Sequence, residues 1–463
     1  MFLEEIFKYN ENTALIVDNN SVTYKEIIDF SKVVKKKITQ RSLVFLLCKN
    51  EEASVLGYIS FILNKIVPIL LDSSIELNRL QKLIKTYQPN YLWLPNTVAN
   101  KYNFNNTILE FLGYSLVAIN EKKFHHLSKS LALLLTTSGS TGSPKLVRLS
   151  YLNLKENTQS ISNYLSINSS ERPVTLMPMN YSYGLSIINS HLINGATILL
   201  TTKSVIQRDF WSFIKKNKAT SFSGIPYIFE MLVKLNFFEI SLPFIKTITQ
   251  AGGKLKKEVL SKFAIFSKKN KINFYVMYGQ TEASPRMSYL SPEYLIEKLG
   301  SIGKPIEGGK FYLIDDSGKI IESDNVSGDL VYEGKNVCMG YATSISDLKK
   351  ENENKNVLYT GDLAKRDSDG FYYIIGRKKR FVKLFGNRLS LDDIENLIKN
   401  ITDNCACVGF EGKVLIYVNK KNIEEKVIEY ISLITKIHYS AFQVKFIKKI
   451  PLTKSGKINY SLL

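Results

Sequence analysis

The chain is poor in the residues that staple small folds. It has four cysteines in 463 residues, Cys48, Cys338, Cys405 and Cys407, too scattered to form a disulfide framework or a metal knot. Cys405-Ala406-Cys407 alternates as a strand does and lacks metal-ligand spacing, so these thiols are expected to pack as core side chains. No apolar run is long enough to span a bilayer, which excludes an integral membrane segment. Met1-Phe2-Leu3-Glu4-Glu5 lacks the basic-then-apolar order of a secretory leader, so a cytoplasmic location is expected. Internal repeats and long low-complexity tracts are missing as well. Acidic residues are in short supply, 42 against 62 Lys and Arg, which leaves a formal charge of +20. The excess is mostly lysine in short runs such as Lys35-Lys36-Lys37, Lys215-Lys216 and Lys268-Lys269. Dispersed lysines without interleaved aromatics describe solvated faces, and a nucleic-acid partner is not expected.

What is present is an ordinary globular composition, 44% hydrophobic, on a chain long enough for two or more domains. The first 130 residues alternate helical and strand patterns. Val22 to Ile28 opens a helix, and Ser42 to Leu47 reads as a buried strand. A further unit runs from Thr175 through a helix-like stretch to Leu192 and a strand at Ala196–Leu200. Such alternation predicts parallel sheets with crossover helices. From about Gly303 short strands, Lys310–Ile314 and Asp329–Tyr332, lie between glycine turns and predict a small β-rich barrel. The last segment has strands at Lys413–Val418 and Phe442–Ile447 around a helix at Ile423–Ile434, which predicts a small α+β domain beginning near Lys379.

The most informative stretch is Leu134-Leu135-Thr136-Thr137-Ser138-Gly139-Ser140-Thr141-Gly142-Ser143-Pro144-Lys145. An apolar strand pattern empties into glycines and hydroxyls that end on a lysine. Glycine permits convergent backbone amides, hydroxyls add donors, and Lys145 adds a full charge, so the loop suits a phosphate. It is not the common nucleotide loop, which needs Gly-Lys-Ser/Thr where this chain has Pro144-Lys145. Taken alone it could also be a polar surface turn.

The order of residues in that loop resembles the phosphate loop of adenylate-forming enzymes: acyl-CoA synthetases, carrier-loading adenylation domains and luciferases. The resemblance continues in order along the chain through Ala251-Gly252-Gly253, Tyr278-Gly279-Gln280-Thr281-Glu282, Tyr359-Thr360-Gly361-Asp362, Gly376-Arg377-Lys378 and Pro451-Leu452-Thr453-Lys454-Ser455-Gly456-Lys457. It implies that Thr137, Ser138, Gly139, Ser140, Thr141, Gly142 and Lys145 hold ATP phosphates. Ala251, Gly252 and Gly253 would lie against one adenine face and Tyr278 against the other, with Gly279 and Gln280 alongside. Thr281 would donate to the α-phosphate, Glu282 would bind Mg²⁺, Asp362 would receive the ribose hydroxyls, and Arg377 would lie near ribose and phosphate. Lys457 takes the place of the family's catalytic lysine, Lys379 that of its hinge, and Gly386 that of its thiol tunnel. A hairpin turn explains Gly386 nearly as well.

The resemblance implies an α/β protein: an AMP-binding domain over 1–378, made of α/β subdomains at about 1–300 and a β-barrel at about 301–378, then a mobile α+β lid over 379–463. It also implies the reaction, in which a carboxylic acid and ATP give an acyl-adenylate and pyrophosphate and the acyl group passes to a thiol of CoA or a phosphopantetheine carrier. With six residues after Lys457, a carrier protein is expected to act in trans, and the lysine excess suits such polyanionic partners. Tyr181, Ser182, Tyr183, Ile225, Ala283 and Ser284 are expected to line the acid's pocket. Ser182 stands where amino-acid-activating relatives carry an aspartate, which disfavours an α-amino acid and favours a fatty, hydroxy or aryl acid. Tyr151 replaces a histidine of many relatives, Tyr181 takes the position of a histidine or aromatic that gates the acyl pocket, and Tyr183–His191 is similar to synthetases encoded among surface-polysaccharide genes. Transfer to an amine, amino-acid activation for a carrier, and an idle nucleotide-binding regulator stand as alternatives, the last disfavoured by intact Glu282, Asp362 and Lys457.

Overall fold

The computed structural model describes residues 2–463 apart from 122, 137–144, 385–386, 403, 411–412 and 454–457. The alternating patterns build two large sheets. One has eight strands in the spatial order Gly340–Ala342, Leu146–Ser150, Leu131–Thr136, Val67–Asp72, Leu43–Cys48, Tyr91–Pro95, Tyr114–Ala118 and Thr107–Phe111. Leu43–Cys48 runs parallel to both of its neighbours. A central parallel strand covered on both faces must be apolar at every position, and Leu43–Cys48 is buried throughout. Val44 and Leu46 join one core cluster while Phe45 and Leu47 join another.

The other large sheet has nine strands, in the order Lys304–Pro305, Arg286–Leu290, Asn273–Gly279, Thr247–Gln250, Ser221–Gly224, Pro173–Thr175, Ile198–Leu200, Thr13–Val17 and Asn20–Thr23. Asn273–Gly279 turns back antiparallel onto Arg286–Leu290, with Gly279 opposite Arg286. A Cβ at Gly279 would stand 1.7 Å from the Pro285 carbonyl oxygen, so this crossing requires glycine.

Helix starts follow local chemistry. Thr23 caps Tyr24–Lys37 in a capping box with Glu26. The helix-like stretch before Leu192 becomes helical only at Ser182, because Pro178 takes the Tyr181 amide in a turn at 3.0 Å. Ser182–Leu192 is buried on every face, which its small and aliphatic residues allow.

Of the six strands between 301 and 378, four form one sheet in the order Gly309–Ile314, Ser327–Gly334, Val357–Arg366 and Tyr372–Arg377. The other two, Lys304–Pro305 and Gly340–Ala342, extend the edges of the large sheets.

The chain divides into two compact units. The first comprises Met1–Thr137, Ser143–Phe311 and Tyr332–Leu358, and the second chiefly Tyr312–Val331 and Tyr359–Leu463. The second unit contains the α+β tail. There Cys405–Phe410, Lys413–Val418 and Phe442–Phe446 form a sheet. Ile394, Ile416, Val427 and Ile431 of its strands and helices meet in one core. All four cysteines are buried thiols. Ala406 is buried along with its neighbours, so both faces of that strand are covered. Among the described residues no helix is long and apolar enough to cross a membrane.

Candidate functional site

In the first unit the glycine segment and the Tyr278–Glu282 segment end adjacent strands, Thr247–Gln250 and Asn273–Gly279. Gly252 has φ +83°, and a Cβ there would sit 2.9 Å from both the Tyr181 hydroxyl and Ile225 Cγ2. Ala251 is buried, and Gly253 approaches Pro226. The Tyr278 ring is half-buried, with Phe311 tilted against it at 6.2 Å. Gln280 precedes a single turn, Thr281–Ala283. Thr281 Oγ1 lies 3.1 Å from the hydroxyl of Ser182, the first residue of its helix.

Glu282 is held from two sides. Its carbonyl accepts the Cys338 amide at 2.8 Å, and its Oε1 accepts the Tyr341 hydroxyl at 2.8 Å. Lys145 Nζ stands 3.3 Å from the centre of the same Tyr341 ring. The tyrosine thus carries a cation on its face and an anion at its hydroxyl. Burial, reinforced by the Glu282 charge, pushes the Tyr341 phenol well above its ordinary range, so it remains a donor. The turn after Glu282 is pinned by Asn336, whose Nδ2 donates to the carbonyls of Ala283 and Arg286 at 2.7 Å each. Asn336 Oδ1 in turn accepts the Tyr332 hydroxyl at 2.9 Å.

Among the described residues no cluster of three or more His, Cys, Asp or Glu could cage a metal. A single oriented carboxylate is what Mg²⁺ uses when it is shared with substrate phosphates and keeps its waters. Glu282, fixed by Tyr341, fits that role.

Tyr181, Tyr183 and Ile225 come together in an apolar cluster with Ala251, Met177, Ile187 and Met277. The Tyr183 hydroxyl donates to the Thr249 carbonyl at 3.0 Å. Burial pushes the Tyr181 phenol up to about 12, so neither ring titrates near neutrality. Ala283 and Ser284 are outside that cluster. They belong to the Asn336-pinned turn, where Ser284 has φ +68° and donates to the Asn336 carbonyl at 2.8 Å.

In the second unit Asp362 and Arg377 are register partners on adjacent strands, with Nε to Oδ1 at 3.1 Å. The carboxylate is 4% exposed and the guanidinium side chain 60%. Thr360 accepts the Asp362 amide and donates to the Leu330 carbonyl, which fixes the turn before the aspartate. Lys379 lies in the short turn Lys378–Arg380. Arg380 is bound to Asp392 at 2.8 Å and Glu395 at 2.6 Å, with the Tyr460 ring 3.9 Å away. The Tyr460 hydroxyl donates to Glu395 Oε2 at 3.0 Å, which ties the end of the chain to the residue after Lys379. Burial raises the Glu395 carboxyl, with Arg380 opposing.

Thr137, Ser138, Gly139, Ser140, Thr141, Gly142, Gly386 and Lys457 lie outside the described residues. Sequence inspection missed Tyr341, Asn336, Arg380 and Tyr460. Tyr341 is 59 residues from Glu282 and carries no local motif. Tyr460 had a signal, since it follows Lys457 by three residues.

Two large α/β sheets followed by a small α+β tail are the architecture of adenylate-forming ligases. O-succinylbenzoate coenzyme A synthetase from Bacillus subtilis, solved with AMP, superposes with a TM-score of 0.80 at 20% identity, over 99% of this chain and 96% of that one. The AMP-binding enzyme model matches residues 3–342, and the chain belongs to that family. Among named relatives, an oxalate–CoA ligase of Arabidopsis thaliana is 27% identical over 71% of this chain, an alignment spanning 66% of that enzyme. A 2-succinylbenzoate–CoA ligase of Staphylococcus epidermidis is 24% identical over 99% of this chain and 96% of its own length.

Proposed function

We propose that this AMP-binding enzyme is an acid–thiol ligase that activates a carboxylic acid with ATP and transfers the acyl group to CoA or to a carrier protein in trans, working in the cytoplasm. The observation that carries this is the assembly of Lys145, Tyr341, Glu282 and Thr281, which links a cation, an oriented anion and a hydroxyl donor contributed by strands of both large sheets and the segments adjoining them. In the first step a carboxylate oxygen attacks the α-phosphorus of ATP, and the bond to the pyrophosphate oxygen breaks. Such a step depends on placement and charge neutralisation more than on any protein nucleophile. Mg²⁺ held by Glu282 supplies neutralisation of the phosphate charge when bound. Lys145 with the loop Thr137–Gly142 binds phosphate oxygens, Thr281 orients the α-phosphate, and Gly252 and Tyr278 enclose adenine. Asp362, steadied by Arg377, receives the ribose hydroxyls. Lys457 bridges the two reacting anions. In the second step a thiolate attacks the acyl carbon and AMP leaves.

Residues 1–378 form the nucleotide-binding domain in this reading and 379–463 the lid, turning at Lys379 and admitting the thiol past Gly386. The relatives named as CoA ligases support coenzyme A as acceptor. The test is pyrophosphate release from ATP across a panel of acids, with and without CoA, beside Lys457→Ala. Acid-dependent release that falls by about two to three decades in the variant is expected. Release that ignores the acid, or survives the substitution unchanged, would refute the assignment.

A further inference from the structure

One buried charge is left unused by this mechanism. Arg286 opens the strand that follows the Glu282 turn and is 3% exposed. Among the described residues no carboxylate pairs with it, and its Nε has no hydrogen-bond partner. One Nη donates to the Ser186 hydroxyl at 3.2 Å, and the guanidinium carbon stands 4.8 Å from the centre of the Tyr183 ring. A guanidinium stays charged at any working pH, and a charge kept dry without a counter-ion is strongly unfavourable unless something else supplies the anion.

The surroundings do not supply it. Arg286 lines a cavity together with Ser186, Ser223, Thr249, His191 and Glu171. His191 is held neutral by burial, which pushes it down to about 4. The Glu171 carboxylate accepts the Thr220 hydroxyl and makes no ion pair with Arg286.

The helix Ser182–Leu192 relates this cavity to the reaction centre. Ser182 meets Thr281, and Ser186, one turn further on the same face, meets Arg286. Those two serines are about 6 Å apart along the helix axis at the usual rise per residue. Tyr183, already in the apolar cluster, lies between them in sequence and stacks on the arginine.

We infer that Arg286 anchors a second carboxylate, so that the acid activated here is a short or aryl dicarboxylic acid, adenylated at one end and held by the guanidinium at the other. The inference rests on the proposed adenylation and narrows its substrate class. A planar fork with an unused Nε–H matches the two oxygens of a carboxylate, which lysine would not do as well. Monoacids of equal length leave the fork unpaired, and sites of that kind discriminate by at least about 100-fold.

The experiment measures kcat/KM for pyrophosphate release with matched pairs: succinate and butyrate, glutarate and valerate, adipate and hexanoate, phthalate and benzoate. Wild type, Arg286→Met and Arg286→Lys are compared, with melting temperatures recorded for each. A diacid preferred by about 100-fold or more in wild type, collapsing to near parity in Arg286→Met through a raised KM for the diacid, is the expected result, with Arg286→Lys intermediate. Wild-type preference for a monoacid, or a diacid preference that survives Arg286→Met, overturns the inference while leaving adenylation intact. Release with no acid at all sinks the adenylation reading itself. Should Arg286→Met fail to fold, the wild-type panel and Arg286→Lys decide: a wild-type diacid preference weakened by lysine supports the anchor, and equal use of both acids refutes it.

Discussion

Removing a single oxygen, by Tyr341→Phe, isolates the link between Glu282 and the ring beneath Lys145. The ring remains, so the cation contact at 3.3 Å is kept. What is lost is one hydrogen bond at 2.8 Å from a half-buried phenol to a carboxylate oxygen. Hydrogen bonds to charged groups are worth about 1.5–3 kcal/mol, which at 1.4 kcal/mol per decade is roughly 10- to 100-fold. Loss of a group that orients a metal ligand costs a similar factor in metal affinity. The Mg²⁺ concentration for half-maximal pyrophosphate release is therefore expected to rise by about 10- to 100-fold. The rate at saturating Mg²⁺ should change much less. Titration of initial rates against free Mg²⁺ at fixed ATP reads this directly. A Mg²⁺ requirement unchanged in Tyr341→Phe would refute the idea that Tyr341 aims Glu282 at the metal.

Three other outcomes are expected. His191 is buried with a folded value near 4 against about 6.5 when unfolded, so below pH 6.5 the unfolded chain takes a proton that the folded chain refuses. Its contribution to stability is thus complete above pH 6.5 and is lost progressively toward pH 4, amounting to about 3 kcal/mol. Denaturant titrations at pH 7 and 5 should show the loss, and His191→Leu should flatten it. Gly279→Ala drives a methyl into the Pro285 carbonyl and is expected to cost about 3 kcal/mol in the same assay; a neutral result would contradict the close crossing. Tyr460→Phe removes the donor to Glu395, and amides of 458–463 should exchange faster while those of Lys413–Val418 stay protected. Uniform exchange would place the tyrosine outside any docking role.

Much of the fold was legible because its strands obey local rules. Leu43–Cys48 and Leu131–Thr136 are apolar at nearly every position since both faces are covered, and such runs stand out in any sequence. The small-residue motifs were legible for a related reason: Gly252 and Gly279 are fixed by close approaches that admit no side chain. The helix before Leu192 was found, but its start was not, because the Pro178 turn postpones it to Ser182. Long-range partners left no trace in the sequence. Nothing near Tyr341 announces Glu282, and nothing near Asn336 announces the two carbonyls it holds. Arg286 resembles any arginine on a strand until its burial and the unpaired Nε are seen. Ala283 and Ser284 follow the motif directly, but the turn that Asn336 pins them into depends on a residue more than fifty positions away and could not be read from the motif.

The most direct test of the central claim follows one oxygen atom. An acid that supports turnover is labelled with ¹⁸O in its carboxyl group and incubated with ATP, Mg²⁺ and CoA, and the AMP is analysed by mass spectrometry. If the carboxylate attacks the α-phosphorus and the thiol then displaces AMP, each AMP carries one ¹⁸O and pyrophosphate carries none. AMP without label, or ADP as the nucleotide product, would contradict adenylation as the function of this chain.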